Sequence, residues 1–242
     1  MYSWRARIGM LLPSSNAAAE PQIARMLPDG VAFHTTRLRL LDSTEASVHG
    51  MLERLEEGAS LLADAGVDLI VFHCTAVTMF RQGMDAEIIE RITRATGVPA
   101  TATSRGVLSA FATLGVRKVV LTTPYNAETN RREIAFLNAN GIEVLSETGM
   151  DLPGKGGAML KVEPGEWYRR VCAQRDDDTD AYFVSCTAIR SAEVIETIER
   201  DLGRPVVTSN QAMAWHCLRM AGVMAPVAGF GRLFGMMPAG AR

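Results

Sequence analysis

Short apolar runs alternate along the chain with longer segments that repeat apolar residues at helical spacing. The runs are rich in β-branched residues and predict eight strands. These strands cover 6–12, 31–38, 69–73, 100–102, 119–122, 143–146, 182–185 and 206–208. The predicted helices cover 51–65, 85–96, 127–140, 165–173 and 192–202. Such alternation is typical of parallel βαβ units whose sheets are buried on both faces, so we predict an α/β fold with two four-stranded sheets.

Two of the apolar runs end in the same three residues. Residues 67–77 read VDLIVFHCTAV and residues 179–189 read TDAYFVSCTAI, so Cys74 and Cys186 each open a Cys-Thr-Ala triplet. Residues 7–16 also align with 117–126 when one residue is gapped. A repeat of this length indicates a duplicated domain rather than a solenoid.

The repeat divides the chain into two pseudo-symmetric lobes. We predict an N-terminal lobe at 1–112, joined by the C-terminal segment 210–242, and a C-terminal lobe at 113–209. Each lobe should contain one four-stranded parallel sheet flanked by helices, with the active site in the cleft between the lobes.

Composition narrows the function classes. The chain has 242 residues with 48% hydrophobic content, enough for a substantial core. A net charge of −2 and a pI near 6.1 give no basic surface for nucleic acid or acidic membranes. The start of the chain lacks the apolar core of a signal peptide, so we expect a cytoplasmic protein with four reduced cysteines. Their spacing fits no metal site, and no metal is expected.

The residues whose side chains could take part in catalysis or ligand binding lie at the ends of the predicted strands. Ligands of open parallel sheets bind beyond the carboxyl ends of the strands. That rule places 13–16, 74–75, 124–126 and 186–187 around one cleft. A thiol there faces the first amide groups of the following helix, which favour both a thiolate and an anionic substrate. We therefore predict that Cys74 and Cys186 are the catalytic residues.

The motifs resemble those of a known superfamily. Pro-Ser-Ser-Asn at 13–16, the two Cys-Thr pairs and Thr-Pro-Tyr-Asn at 123–126 are similar to those of the aspartate/glutamate racemase superfamily. Within it they most resemble the branch of maleate cis-trans isomerases and arylmalonate decarboxylases, and maleate isomerases above all. The resemblance extends from residue 8 to about residue 220. It implies two pseudo-symmetric lobes, a small carboxylate substrate and no metal, nucleotide or organic cofactor.

For a maleate isomerase, the resemblance implies a mechanism with two thiols. Cys74 would add to one alkene carbon, after which the single bond rotates and elimination gives fumarate. Cys186 would supply and remove the proton at the neighbouring carbon. Asn16 and Tyr125 match family positions that hold a substrate carboxylate. The other binding candidates, from the same strand ends, are Ser14, Thr75, Asn126 and Thr187.

Other functions remain open. Two thiols also suit a racemase of aspartate- or glutamate-type amino acids, with one thiol on each face of the α-carbon. Arylmalonate decarboxylases resemble this chain at Tyr125 and Cys186 but lack a first-lobe cysteine, so Cys74 counts against decarboxylation. The segment 151–157 lacks the asparagine expected at the far carboxylate, and Lys155 is the candidate anion partner there. A non-catalytic carboxylate-binding protein is the remaining alternative.

Several other residues carry structural interpretations. His73 adjoins Cys74, but strand alternation predicts that its side chain points to the opposite face. Cys172 and Cys217 lie in helical patterns and are expected to pack as small apolar residues. The methionine-rich tail around 229–237 suggests a subunit contact, so we expect a homo-oligomer, either a dimer or a tetramer. No nucleic-acid or membrane partner is expected.

Overall fold

Two four-stranded parallel sheets form the frame of the molecule. The computed structural model describes residues 3–154 and 157–237. The first sheet contains β1 (Ala6–Pro13), β2 (Val31–Leu38), β3 (Leu69–Phe72) and β4 (Ala100–Ala102). The second contains β5 (Lys118–Thr123), β6 (Glu143–Gly149), β7 (Ala181–Val184) and β8 (Val206–Thr208). The strand orders are β2-β1-β3-β4 and β6-β5-β7-β8, so the two sheets share one topology.

Helices cover the sheets. In the first half they are α1 (Ala19–Ala24), α2 (Glu45–Leu52), α3 (Leu55–Asp64), α4 (Thr75–Thr78), α5 (Met84–Thr96) and α6 (Thr103–Leu114). In the second half they are α7 (Ala127–Ala139), α8 (Ala158–Lys161), α9 (Pro164–Ala173), α10 (Ile195–Leu202) and α11 (Ser209–Met220). Short 3-10 turns follow at Ala192–Val194 and Arg232–Gly235. The predicted α/β fold with two pseudo-symmetric halves is confirmed.

The sequences of the inner strands are continuous apolar runs because these strands are buried on both faces. Every residue of β3 and of β7 is buried, because helices cover both faces of each sheet. The edge strands β2 and β6 are only partly buried and contain more polar residues. The residues just beyond the carboxyl ends of β3 and β7 are buried as well.

Some helices differ from the prediction. The predicted helix at 51–65 is two helices, α2 and α3, which are separated at 53–54. Thr44 caps α2 by accepting a hydrogen bond from the backbone N–H of Ser47. The helices α6 and α11 are not among the predicted helices. Helix α11 is buried on nearly all sides and has no clear amphipathic pattern, whereas α6 buries one face, with Val107, Ala110 and Phe111, and leaves Arg105 and Ala112 exposed.

The last long helix crosses back to the first half. Helix α11 packs on α6, and their backbones approach closely at Gly106. A Cβ atom at Gly106 would lie 3.1 Å from the carbonyl oxygen of Ala212 and 3.1 Å from the Cα of Met213. The contact agrees with a C-terminal segment that returns to the N-terminal lobe, whereas the exact lobe boundaries stay a prediction. Across 3–154 and 157–237, no helix is both long and apolar enough to cross a membrane.

The close approach of α6 and α11 yields a stability prediction. Gly106→Ala should lower the free energy of unfolding by about 1 kcal/mol or more, because the backbone of α11 must move to admit the methyl group. Urea denaturation measures this. Gly50→Ala is the matched control: Gly50 is exposed in α2 with no atom within 4 Å, so alanine should stabilise by about 0.5–1 kcal/mol. Equal effects of the two variants would contradict a tight α6–α11 contact.

Candidate active site

A small pocket at the strand ends contains both candidate thiols. Cys74 lies two residues beyond the end of β3, and Cys186 lies two residues beyond the end of β7. Both line the same cavity of about 50 Å³. Its polar lining comes from Ser15, Asn16, Asp42, Ser43, Tyr125 and Thr187. Its apolar wall comes from Pro13, Leu40, Leu41, Ala76, Met159 and Ala188. The two halves thus contribute one sulfur each to a shared site.

Cys74 stands immediately before the short helix α4. Its backbone is extended, with φ −155°, and the backbone N–H groups of Ala76 and Val77 point at its sulfur. Burial is the larger influence and raises the pKa of the Cys74 thiol to about 12, against the opposing effect of these N–H groups. The unliganded protein therefore holds Cys74 as a thiol near neutral pH.

Cys186 has a strained backbone. Its φ of +147° lies in a region that favours glycine, and such a conformation costs about 1–3 kcal/mol. Contacts hold it there: its N–H donates to Ser209 Oγ at 3.1 Å, and its Sγ accepts from the N–H of Ala188 at 3.3 Å. Burial raises the pKa of the Cys186 thiol to about 11, while a hydrogen bond with Tyr125 lowers it.

Tyr125 is the buried hydroxyl beside Cys186. It lies in the turn after β5, where its N–H donates to Thr123 Oγ1 at 3.0 Å. Burial raises the pKa of Tyr125 well above its ordinary value, and the charges of Cys186 and Glu133 act in the same direction. The phenol consequently keeps its proton and is available as a hydrogen-bond donor.

Asn16 connects the two halves across the pocket. Its Nδ2 donates to Thr187 Oγ1 at 3.0 Å, and its Oδ1 accepts from the N–H groups of Ala18 and Ala19 at 2.9 and 3.0 Å. One side chain thus fixes the turn before α1 and also positions Thr187. The amide retains a second N–H for a ligand.

Two of the remaining binding candidates do not line the thiol pocket. Thr75 is buried behind the pocket, and its hydroxyl donates to Ser209 Oγ at 2.9 Å. Ser14 accepts from the N–H of Leu40 at 3.3 Å and does not line the pocket.

Asn126 differs from its repeat counterpart Asn16. It is exposed and caps α7 through the N–H of Thr129 at 2.9 Å. It lines a neighbouring cavity of about 570 Å³ rather than the thiol pocket. That cavity shares Tyr125 and Met159 with the thiol pocket and offers a route to solvent. Lys155, the candidate anion partner, lies outside the described residues.

His73 faces away from Cys74, as strand alternation predicts. Its Nδ1 lies 3.0 Å from Thr103 Oγ1 and its Nε2 lies 2.8 Å from Asn210 Oδ1. Asn210 in turn donates to the carbonyl of Thr187 at 3.2 Å. Burial lowers the pKa of His73 to about 4, so the ring is neutral and serves a buried network that crosses the two halves.

Comparison with known proteins identifies the family. The sequence model for arylmalonate decarboxylase matches residues 8–234. The chain belongs to the arylmalonate decarboxylase family. The arylmalonate decarboxylase of Bordetella bronchiseptica is 32% identical over 234 residues, which cover 94% of this chain and 95% of that protein. The maleate isomerase of Nocardia farcinica is 26% identical over 239 residues and covers 94% of both chains.

A solved structure of the same family agrees with the fold. It is an arylmalonate decarboxylase variant with one glycine-to-cysteine and one cysteine-to-serine exchange, in its liganded form. It superposes with a TM-score of 0.88 at 28% identity and covers 95% of this chain and 98% of that chain. These relatives confirm the predicted family branch and the prediction of an enzyme. They support isomerase or decarboxylase activity.

The sequence analysis did not predict three apolar residues that line the thiol pocket. Leu40 and Leu41 come from the loop after β2, and Met159 comes from the four-residue helix α8. None carries a motif. Ser209 was within reach of sequence analysis, because the pair Ser209-Asn210 matches Thr103-Ser104 in the repeat.

Ser209 gives a prediction about the strained cysteine. Ser209→Ala removes the acceptor for the N–H of Cys186 and leaves that buried donor unpaired. The free energy of unfolding should fall by about 1–3 kcal/mol, measured by urea denaturation. Ser60→Ala is the control, because Ser60 is exposed and bonds only within α3, and it should change stability by less than about 0.5 kcal/mol. A Ser209→Ala variant as stable as the control would contradict this role.

Proposed function

We propose that the protein is a cofactor-independent cis-trans isomerase of maleate or a closely related dicarboxylate. One observation carries the proposal: both Cys74 and Cys186 line a single pocket, each at the end of a central strand of its own half. A planar alkene between them would meet one sulfur on each side. Relatives named maleate isomerase, aligned over nearly the whole chain, support the same reaction.

The proposed reaction begins with Cys74. Formation of its thiolate releases one proton to solvent, and the sulfur then forms a bond to one alkene carbon. Cys186 gives its proton to the adjacent carbon, so the former double bond becomes single and rotates. The Cys186 thiolate then removes a proton from that carbon while the Cys74 sulfur–carbon bond breaks. The trans alkene leaves with Cys186 again a thiol, and Cys74, released as a thiolate, takes back one proton from solvent.

Hydrogen-bond donors stabilise the charge that moves during this reaction. Addition to the alkene shifts electrons onto a substrate carboxylate as an enolate-like intermediate forms. The Tyr125 hydroxyl and the free N–H of Asn16 are the proposed donors, and the Thr187 hydroxyl stands beside them. Preorganised donors in a buried pocket act strongly because little water competes with them.

The apolar wall of the pocket favours a second candidate. Among the described residues that line the thiol pocket there is no lysine, arginine or histidine to pair with a second carboxylate, and Asp42 adds a carboxyl group of its own. The apolar side chains of Leu40, Leu41 and Met159 form one wall of the pocket. A racemase would bind one carboxylate at Tyr125 and Asn16, place an apolar substituent against this wall, and exchange the α-proton between the two thiols. Decarboxylation is less favoured because the pocket has a second thiol, Cys74.

A substrate panel tests these candidates. Maleate, citraconate, an arylmalonate and several amino acids and 2-aryl acids are each incubated with the protein in heavy water. We expect maleate absorbance to fall as fumarate appears. Deuterium uptake at the α-carbon of both enantiomers of an acid, without maleate turnover, would replace the isomerase with the racemase. Release of carbon dioxide from the arylmalonate alone would contradict both.

The two thiols should be individually essential. Cys74→Ser and Cys186→Ser should each lower kcat/KM at least about 10²-fold, because each removes a nucleophile or an acid/base group. Cys172→Ser is the matched control, since Cys172 lies on α9 outside the pocket, and it should retain wild-type turnover. Near wild-type rates in either pocket variant would contradict the two-thiol mechanism.

The raised thiol pKa values set the pH dependence. The Cys74 pKa of about 12 lies above its ordinary value, so the thiolate fraction grows roughly tenfold per pH unit below that value. Cys186 has the lower pKa, about 11, and so ionises before Cys74, but it stays mostly protonated up to about pH 10 and can still donate its proton there. We expect kcat/KM to rise from pH 7 to about pH 10, measured by initial rates. A flat or falling profile between pH 7 and pH 9 would argue against attack by Cys74.

A further inference from the structure

The residue beside the first thiol is connected to the segment that carries the second. His73 precedes Cys74, and its imidazole is fully buried. Its Nε2 lies 2.8 Å from Oδ1 of Asn210, the second residue of α11. The side-chain Nδ2 of Asn210 donates to the carbonyl of Thr187 at 3.2 Å. Because Thr187 follows Cys186, two hydrogen bonds lead from one thiol segment to the other.

The orientation of the Asn210 amide is fixed by its other neighbours. Gln22 of α1 donates from Nε2 to the carbonyl of Ile189, which leaves its Oε1 as an acceptor. That Oε1 accepts from Nδ2 of Asn210 at 3.2 Å. Since Gln22 and Thr187 both present acceptors to Nδ2, the carbonyl oxygen of the Asn210 side chain is the atom that faces His73.

An oxygen that only accepts requires a donor on the histidine. Nε2 of His73 therefore carries the proton, and in the neutral ring Nδ1 then accepts from the hydroxyl of Thr103 at 3.0 Å. Burial favours this neutral form, because it lowers the pKa of His73 to about 4. The buried bonds thus define a single tautomer, with its proton directed at Asn210.

The repeat has no corresponding bond in the opposite direction. Ser185 occupies the position of His73 in the second half, and its buried hydroxyl forms no bond to the first half among the described residues. Ser104 occupies the position of Asn210 and bonds to Asp85 of its own half at 3.1 Å. Through these positions the first half holds the second thiol segment, without a reciprocal bond.

We propose, building on the two-thiol reaction above, that His73 is a positioning residue for Cys186 rather than for its neighbour Cys74. Its Nε2–H holds the Asn210 amide, which holds the carbonyl of Thr187 and so fixes the backbone that carries the second sulfur. The side chain next to the proposed nucleophile thereby sets the place of the proposed acid.

The backbone of Cys186 depends on such support. Its φ of +147° is a conformation that persists only where surrounding contacts enforce it. Asn16 binds the Thr187 hydroxyl at 3.0 Å and Asn210 binds the Thr187 carbonyl, so the residue after Cys186 is held from two sides. Cys74 has an extended backbone, with φ −155°, that any residue adopts. Loss of the His73 bond should therefore disturb the distant thiol more than the adjacent one.

Two substitutions of His73 separate its two bonds. The longer side chain of glutamine places an amide N–H near the position of Nε2 and can still donate to Asn210. Asparagine places its amide near the position of Nδ1 and reaches Thr103 only. His73→Asn should therefore release the segment that contains Thr187, and His73→Gln should retain it. Both variants lose the imidazole and keep a buried amide, so a purely structural effect would be common to both.

Thiol alkylation measures the two segments without any substrate. Iodoacetamide is added at pH 8, and the peptides that contain Cys74 and Cys186 are quantified by mass spectrometry. The two residues are 5% and 4% exposed, so local opening limits both rates. In His73→Asn we expect Cys186 to react at least about three times faster than in wild type and Cys74 to change by less than about twofold. His73→Gln should keep both rates within about twofold of wild type.

His216→Asn is the matched control. His216 also lies on α11, its Nε2 is 3.1 Å from Thr101 Oγ1, and it does not line the thiol pocket. This variant should leave both thiols within about twofold of wild type. An unchanged Cys186 in His73→Asn would overturn the proposal. Equal acceleration of both thiols, or an equal effect in His73→Gln, would also overturn it, because general loosening of the core produces those results.

A measurement on the wild-type protein tests the tautomer itself. Long-range proton–nitrogen NMR correlation of the imidazole rings at pH 7 distinguishes a ring protonated at Nε2 from one protonated at Nδ1. The spectrum of His73→Gln assigns the signal of His73. We expect the Nε2–H form. A ring protonated at Nδ1 would contradict the bond to Asn210 and overturn the proposal even if the asparagine variant fails to fold.

Turnover separates this inference from the proposed function. With maleate, kcat should fall at least about tenfold in His73→Asn and less than about threefold in His73→Gln, because only the former misplaces Cys186. If wild type turns over no maleate but Cys186 is accelerated selectively, then the isomerase proposal fails and the role of His73 stands. If maleate is isomerised and the alkylation rates do not change, then the reaction stands and the role of His73 fails.

Discussion

Buried hydrogen bonds between the two halves are the constraint on which the rest of this structure depends. Asn16 holds Thr187, Thr75 reaches Ser209, and Ser209 holds the N–H of Cys186. In an interior of low dielectric constant, leaving any of these polar groups without its partner would destabilise the folded protein. The halves are therefore fixed relative to each other where the thiols lie. The geometry of the thiol pocket results from polar bonds at the boundary between the halves, and the apolar cores of the sheets support it from outside.

The sequence predicted the fold because its signals were local and repeated. The apolar runs of β3 and β7 could be recognised as inner strands, and the two Cys-Thr-Ala triplets placed both thiols at strand ends. Helix α11 gave no such signal, since a helix buried on nearly all sides lacks an amphipathic pattern, whereas α6 has an apolar face that the prediction missed. The break between α2 and α3 depends on contacts that local propensity does not encode.

The site was predictable only in part, for a related reason. Asn16 and Asn126 occupy equivalent turns and both cap a helix, yet one bonds across the pocket and the other is exposed. The difference depends on tertiary position. Glu133 lies in the polar sequence Asn-Arg-Arg-Glu, which predicts an exposed side chain for the acidic residue. Its burial depends on the angle at which α7 meets the sheet, which no motif reports.

The positive φ of Cys186 has an evolutionary consequence. Glycine adopts that backbone conformation without the steric penalty that a side chain suffers. A mutation to glycine at this position would relax the chain and at the same time remove one of the two sulfurs. Under the proposed two-thiol reaction, thermodynamic stability favours glycine at this position and turnover favours cysteine. Descendants released from selection for turnover should accumulate glycine there sooner than at Cys74, whose extended backbone suits any residue.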